Sequence, residues 1–342
     1  MRKKTLSVVL GAAMAASLLS GCGGASKPAD ATTAAPAAET TAAPAADTTA
    51  APEADTEAPA ADAASSDDLI VVGYAQVGAE SDWRTANTES FKSTFTEENG
   101  YKLIFDDAQQ KQENQIKAIR SFIQQDVDYI VVAPVVETGW EAVLQEAQEA
   151  GIPVILSDRM MDVDESLYEC WVGGNFIKEG ETAGNWLADY LKAQGRDGED
   201  INIVTLQGTI GASAQIGRTE GFDEAVEAHD NWTTLAQQSG EFTQAKGQEV
   251  MESILKQSGD DIDVVYCEND NEAFGAIDAI EAAGYEVGGE EGQILVMSFD
   301  TTNAGLTDTL SGKITLDTEC NPLHGPRVQE IIEKLEAGEE VD

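Results

Sequence analysis

From residue 69 onward the chain alternates short apolar runs with amphipathic stretches. The runs Leu69 to Tyr74, Tyr101 to Asp106, Val127 to Pro134 and Ile152 to Ser157 have strand length and no polar face. They predict parallel strands covered by helices on both sides, because a strand with one wet face would alternate apolar and polar residues. Between them, Trp83 through Phe95, the set Ile116, Ile119, Phe122 and Ile123, and residues 140–150 keep helical spacing. The pattern then restarts. A helix from Glu179 to Leu191 precedes a strand over Ile201 to Leu206, a helix ending at Ala228 and a short strand near 233–238. Next come a helix over 242–256, the strand Val264 to Cys267, a helix from Glu272 to Ala283 and the strand Ile294 to Phe299. Two such sets in one chain predict an α/β protein of two doubly wound parallel-sheet lobes.

Chemistry gathers where these strands end. Ile152 to Ser157 runs straight into Asp158-Arg159, and in open α/β sheets ligands bind outside the carboxyl ends of strands. The pair reads either as an ion pair closing the strand or as acceptors and a donor fork that clasp neighbouring hydroxyls. Other strand ends supply Glu80, Trp83 and Arg84, then Arg218, then Glu268-Asn269-Asp270, then Asp300, and later Glu319. Planar bidentate groups beside an aromatic suit a sugar, whose hydroxyls need hydrogen bonds and whose C–H face needs a ring. Trp83 reads equally well as a core residue. The set holds no nucleophile with a base, and although Glu268 and Asp270 could in principle act as acid and base on a saccharide, nothing in the spacing specifies it. The expectation is a binding protein, not an enzyme.

The start of the chain gives an address. Arg2-Lys3-Lys4 leads into an apolar stretch from Leu6 to Leu19 and then Ser20-Gly21-Cys22. A basic start, a short apolar core and small residues at the cleavage point make residues 1–22 a secretory signal peptide, because a membrane span needs about 20 apolar residues. The cysteine after a small pair resembles a bacterial lipobox, which implies lipidation of Cys22 and an extracytoplasmic, membrane-anchored protein. Residues 23–67 are Ala, Thr, Pro and acidic residues, with Pro28, Pro36, Pro44, Pro52 and Pro59 breaking any helix. Such a segment buries too little to offset its ordering entropy and reads as a disordered tether.

A net charge of −43 excludes nucleic acid and an anionic lipid surface as partners. Cys170, Cys267 and Cys320 form no C-x-x-C pair, and their disulfide state is left open; His229 and His324 are isolated. Asp162, Asp164 and Glu165 lack the alternating oxygen ligands of a calcium loop and read as a solvated turn. No cofactor or metal is expected.

Several stretches together carry a resemblance: residues 76–84, the run Gln109-Gln110-Lys111-Gln112 with its continuation to Ala118, Ala133-Pro134 through Trp140, Asp158-Arg159, Leu206-Gln207-Gly208-Thr209, and Lys246-Gly247. From Val72 almost to its end the chain resembles the type I periplasmic sugar-binding proteins of ABC transporters, the ribose and galactose group, and within it most the galactofuranose-binding branch. The resemblance implies that Asp158, Arg159, Arg218, Asn269 and Asp300 hydrogen-bond the ligand, with Asp270 beside them. It implies that Trp83 and Phe242 stack on the sugar from the two lobes, that Glu80 and Arg84 belong to the furanose-type segment, and that Glu319 lies at the last lobe crossing. Asp82 and Glu268 depart from the usual pattern.

The same resemblance implies a monomer that closes about a three-segment hinge on a monosaccharide and docks on an ABC permease. It places crossings near Gly174-Asn175, near 300–303 and near 319–321. The first lobe would hold 69–174 and 301–318, and the second 175–300 and 319–342. A further short stretch is expected beyond residue 342. An alternative is a sensor that presents sugar to a membrane receptor. A sugar-responsive transcription regulator would need a helix-turn-helix ahead of Leu69, where an export signal and an acidic tether stand instead.

Overall fold

The apolar runs become parallel strands because neither of their faces could meet water without cost. In a computed structural model that describes residues 69–341, they form two five-stranded, all-parallel sheets. The expected signal peptide, Cys22 and the tether lie outside the described residues. The first sheet holds β1 (Ile70–Gln76), β2 (Tyr101–Asp107), β3 (Tyr129–Val132), β4 (Val154–Ser157) and β5 (Cys170–Val172) in the order β2-β1-β3-β4-β5. The second holds β6 (Ile201–Gln207), β7 (Trp232–Ser239), β8 (Val264–Cys267), β9 (Leu295–Asp300) and β10 (Leu316–Glu319) in the order β10-β9-β8-β6-β7. Read from the other edge, the second order repeats the first strand for strand. Both sheets therefore change direction beside their first strand, and each opens a crevice there.

Helices cover both faces. In the first lobe α2 (Gln112–Gln124) and α3 (Glu141–Ala150) bury Ile119, Phe122 and Leu144 on one side, with Trp140 just ahead of α3. On the other side α1 (Asp82–Thr94) brings Phe91 against Tyr74 with ring centroids 4.1 Å apart. In the second lobe α4 (Phe176–Ala193) and α5 (Ser213–Glu227) lie on one face, and α6 (Gln244–Ser258) and α7 (Asp270–Ala283) on the other. The strands β5 and β10 are short, and the sequence pattern did not reveal them.

The lobe assignment needs correction. Beyond Asp300 the chain does not return to the first lobe: α8 (Asn303–Ser311) leads into β10, which pairs with β9 in the register Leu316 to Met297. The turn at 301–302 is held on its own lobe by Asp270 and Asp317, which accept from the backbone of Thr302 and Thr301. Residues 301–318 thus belong to the second lobe. The chain crosses back only after Glu319, and α9 (Gly325–Glu336) packs on the first lobe. Its apolar stripe of Val328, Ile331 and Ile332 meets the Tyr74 and Phe91 side of the sheet, and full burial of each such side chain stabilises by about 1.5–3 kcal/mol. Among the described residues there are two crossings, at 173–175 and 320–324, rather than three.

Candidate functional site

The loops after β1 and β4 face the loops after β6, β8 and β9 across a cleft holding about 290 Å³ of empty space. Nine of the eleven residues expected at a ligand line it: Glu80, Trp83, Arg84, Asp158 and Arg159 from the first lobe, and Arg218, Phe242, Asn269 and Asp300 from the second.

On the first-lobe wall Ser81 caps α1 by accepting from the Arg84 backbone N–H at 3.1 Å, which fixes where Trp83 and Arg84 leave the helix. Arg84 is almost fully buried and donates from Nε to Glu80 at 3.0 Å and from Nη2 to Asp158 at 2.5 Å. Arg159 lies 3.5 Å from Glu80 and 3.8 Å from Asp158. The Asp158-Arg159 pair is therefore not a simple strand-closing ion pair; two cations and two anions interlock.

Burial works against the charges of Arg84, Asp158 and Arg159. It opposes the Arg84 charge, but Asp158 and Glu80 outweigh it and hold the guanidinium above its ordinary value. Burial pushes Asp158 up, yet Arg84 and Arg159 together bring it below the usual carboxylate range. For Arg159, burial and the like charge of Arg84 bring the group down to about 10, still protonated at neutral pH. Asp158 also sits at φ 65°, a left-handed conformation that costs a non-glycine residue energy and is held by the surrounding contacts.

The second-lobe wall is built around Arg218. The backbones of α4 and α5 cross so closely that a Cβ at Gly180 would stand 2.5 Å from the Arg218 carbonyl. That approach sets Arg218 Nε 2.9 Å from Glu179, while Nη1 donates to the Glu268 carbonyl at 2.5 Å and Nη2 lies 3.5 Å from Asp300. The guanidinium is sandwiched between Phe176 and Phe299, 5.4 and 4.7 Å from their ring centroids. Burial raises Asp300 well above the ordinary aspartate value despite Arg218. Phe242 is presented at φ 60°, and its ring occupies the space that a Cβ at Gly208 would take. Asn269 caps α7 and donates to the Phe242 carbonyl at 3.1 Å, joining two lining residues.

The lobes touch around the rim. Arg159 lies over the Phe242 ring at 5.0 Å, and the backbone N–H groups of Asp82, Glu137 and Met160 donate to Asn271, Gly211 and Ser213 of the other lobe. Three buried atoms of lining residues have no hydrogen-bond partner: Arg84 Nη1, Arg159 Nε and Glu80 Oε2. Two donors and an acceptor on one wall, with aromatic rings nearby, can receive a hydroxylated ring.

Two expected ligand residues are elsewhere. Asp270 is buried behind the wall, accepting from Ser298 and Thr302. Glu319 is exposed at the end of β10, and the next residue, Cys320, faces the cleft instead. Its carbonyl accepts from the Trp83 indole at 2.6 Å, which ties the crossing segment to the first lobe. The error is one residue, because strand alternation sends neighbours to opposite sides. Ser81, Phe176, Ala214 and Cys320 were not anticipated; of these only Ser81, an N-cap four residues before Thr85, carries a local sequence signal. The Glu268 carboxyl, which would have been half of an acid-base pair, points away from the cleft to Gly208 and Thr219. Cys170, Cys267 and Cys320 are buried free thiols. Asp164 caps a short helical turn through Ser166.

Comparison with known proteins agrees with this fold. Residues 70–318 match the model of the periplasmic binding protein domain. The chain is 46% identical over 261 residues to the galactofuranose-binding protein YtfQ of Escherichia coli (strain K12), covering 75% of this chain and 79% of that one. A Mycobacterium smegmatis structure in complex with β-D-fucofuranose is 47% identical with a TM-score of 0.75, over 80% of this chain and 88% of that chain. The binding protein of the arabinose ABC transporter from Shewanella sp. ANA-3, bound to α- and β-L-arabinofuranose, is 42% identical with a TM-score of 0.73, over 80% and 87%. The Escherichia coli and Shewanella relatives are named as binding proteins, not enzymes.

Proposed function

The chain belongs to the periplasmic binding protein domain family, and from that premise we propose that it captures a monosaccharide in the furanose form and delivers it to an ABC permease. The observation that carries the reading is the trio of partnerless buried atoms, Arg84 Nη1, Arg159 Nε and Glu80 Oε2, on residues of one wall of the cleft between the lobes. Buried polar groups cost free energy when unpaired, and ring hydroxyls supply the missing acceptors and donor at once. Trp83 and Phe242 offer faces for the C–H side of the ring.

Capture proceeds by hinge closure. The ligand touches residues of both lobes, so it stabilises the closed arrangement more than an open one, and the population shifts accordingly. The two crossings at 173–175 and 320–324 are where backbone rotation would occur. Cys22 is the lipid-bearing residue that anchors the protein outside the membrane; Cys22→Ser should release it into the soluble extracytoplasmic fraction, and continued membrane retention would exclude the anchor.

The test is calorimetric titration and thermal shift of residues 69–342 with galactofuranose, fucofuranose, arabinofuranose and galactopyranose, each locked in its ring form as the methyl glycoside because the free sugars interconvert in water, and with free ribose. A ligand that binds only the folded form raises Tm by mass action. A shift with furanose sugars and none with galactopyranose is expected. A cooperative melt that no sugar displaces would rule the reading out.

A further inference from the structure

Behind the turn that presents Asp300, two carboxyls meet without a cation. Asp270 opens α7 and is fully buried; its Oδ1 accepts from Ser298 Oγ at 2.6 Å, and its Oδ2 from the Thr302 backbone at 2.8 Å and hydroxyl at 2.7 Å. Asp317, on β10, accepts at Oδ1 from the Thr301 backbone at 3.1 Å. Its Oδ2 is buried and partnerless. Both Oδ2 atoms converge beside Gly305 of α8, where an added Cβ would stand 2.2 Å from that of Asp270 and 2.6 Å from that of Asp317. The donors bonded to the pair are hydroxyls and backbone N–H groups, with no guanidinium or ammonium among them. Between the two carboxyls runs the turn they hold, with Asp300 at φ 101° and Thr301 at φ 53°.

Carboxylates this close cannot both ionise cheaply, whereas one proton between them gives the partnerless oxygen a hydrogen bond. We propose that Asp270 and Asp317 share a single proton and act as a positioning pair: while protonated they clamp the 301–302 turn, and through it hold Asp300 aimed into the cleft. This deepens the sugar-binding reading and rests on it. Ligand affinity then falls as pH rises above neutrality, because loss of the proton sets two like charges against each other and loosens the turn.

The surroundings agree. The N-termini of α7 and α8 both point at the pair and favour one negative charge there. Burial, then Asp270, pushes Asp317 up to about 7, and burial raises Asp270 as well. The other titratable group facing the turn is Asp300 from β9, itself raised by burial, with Arg218 of α5 and Glu179 of α4 beyond it. Asp300 could impose its own pH dependence, so the test must separate the two.

Asp317→Asn does so. The amide keeps an oxygen for the Thr301 N–H and supplies a permanent donor to Asp270. Titration calorimetry with a bound furanose across pH 6 to 8.5 should show the parent losing about tenfold in affinity, the effect of one linked proton released across about one pH unit, while Asp317→Asn stays within about twofold. Parallel profiles would overturn the proposal. Carbon-13 NMR of the aspartate side chains in the unmodified, sugar-free protein reads the proton directly, whether or not the variant folds. One protonated carboxyl in the pair at pH 6 is expected, and two ionised carboxylates there would overturn it. Failure of every sugar to bind would count against the transport reading, not against this resonance.

Discussion

Asp158→Asn tests the interlocked charges on the first-lobe wall. The substitution preserves volume, and asparagine tolerates the left-handed φ of 65° at this position, so backbone strain does not confuse the result. It removes one of the two anions balancing Arg84 and Arg159, at a site where all three side chains are nearly fully buried. A hydrogen bond to a charged group contributes about 1.5–3 kcal/mol, and stripping a buried charge of its partner costs about 3–5 kcal/mol. Glu80 still engages Arg84, and the amide oxygen still accepts from Nη2, so the loss should fall near the low end, about 2–3 kcal/mol. For a domain of this size that lowers Tm by roughly 4–12 °C. Scanning calorimetry without sugar reads the stability, and titration calorimetry should show sugar affinity reduced at least about tenfold. Combining it with Arg84→Met completes a double-mutant cycle. If the interlock is real, the two changes are strongly non-additive. A variant that melts within about 2 °C of the parent and keeps its affinity would refute the argument.

Two further outcomes follow from the second-lobe wall. Gly208→Ala places a methyl where the Phe242 ring now lies, 1.9 Å from its Cζ; the ring must leave its place under Arg159, so sugar affinity should drop at least about fivefold, roughly 1 kcal/mol, while circular dichroism shows the fold retained. Unchanged affinity would mean that Phe242 does not stack on the ligand. Burial raises the Glu268 carboxyl to about 8, above its unfolded value of about 4.3. The stability this group contributes is therefore fully present below about pH 4.3 and lost as pH rises through about 8. Glu268→Gln keeps an acceptor for the Gly208 N–H and has no such dependence. Denaturant unfolding from pH 5 to 8 should show the parent falling more steeply than the variant, and parallel curves would contradict the raised carboxyl.

Much of the fold and most of the site were legible in the sequence. Fully apolar runs such as Ile152 to Ser157 have only one low-cost environment, between two layers of helices, so strand type, parallel sheets and two lobes follow from the pattern. The polar residues directly after those runs had to lie at the carboxyl ends of the strands, which is why Asp158 and Asp300 could be nominated before any contact was known. What the pattern did not contain was local geometry of one-residue resolution and pairing at long range. Cys320 rather than Glu319 faces the cleft because strand alternation fixes direction only once the register is known. Asp270 is a support rather than a lining residue because its neighbours Thr302 and Asp317 are distant in sequence. The return of the chain into the second lobe after Asp300 depends on β10, four residues long and half-buried, too short and too mixed to announce itself. Periodicity reports which face of an element is buried. Which element buries it, and which charges meet across the gap, is decided only when segments hundreds of residues apart are brought into contact.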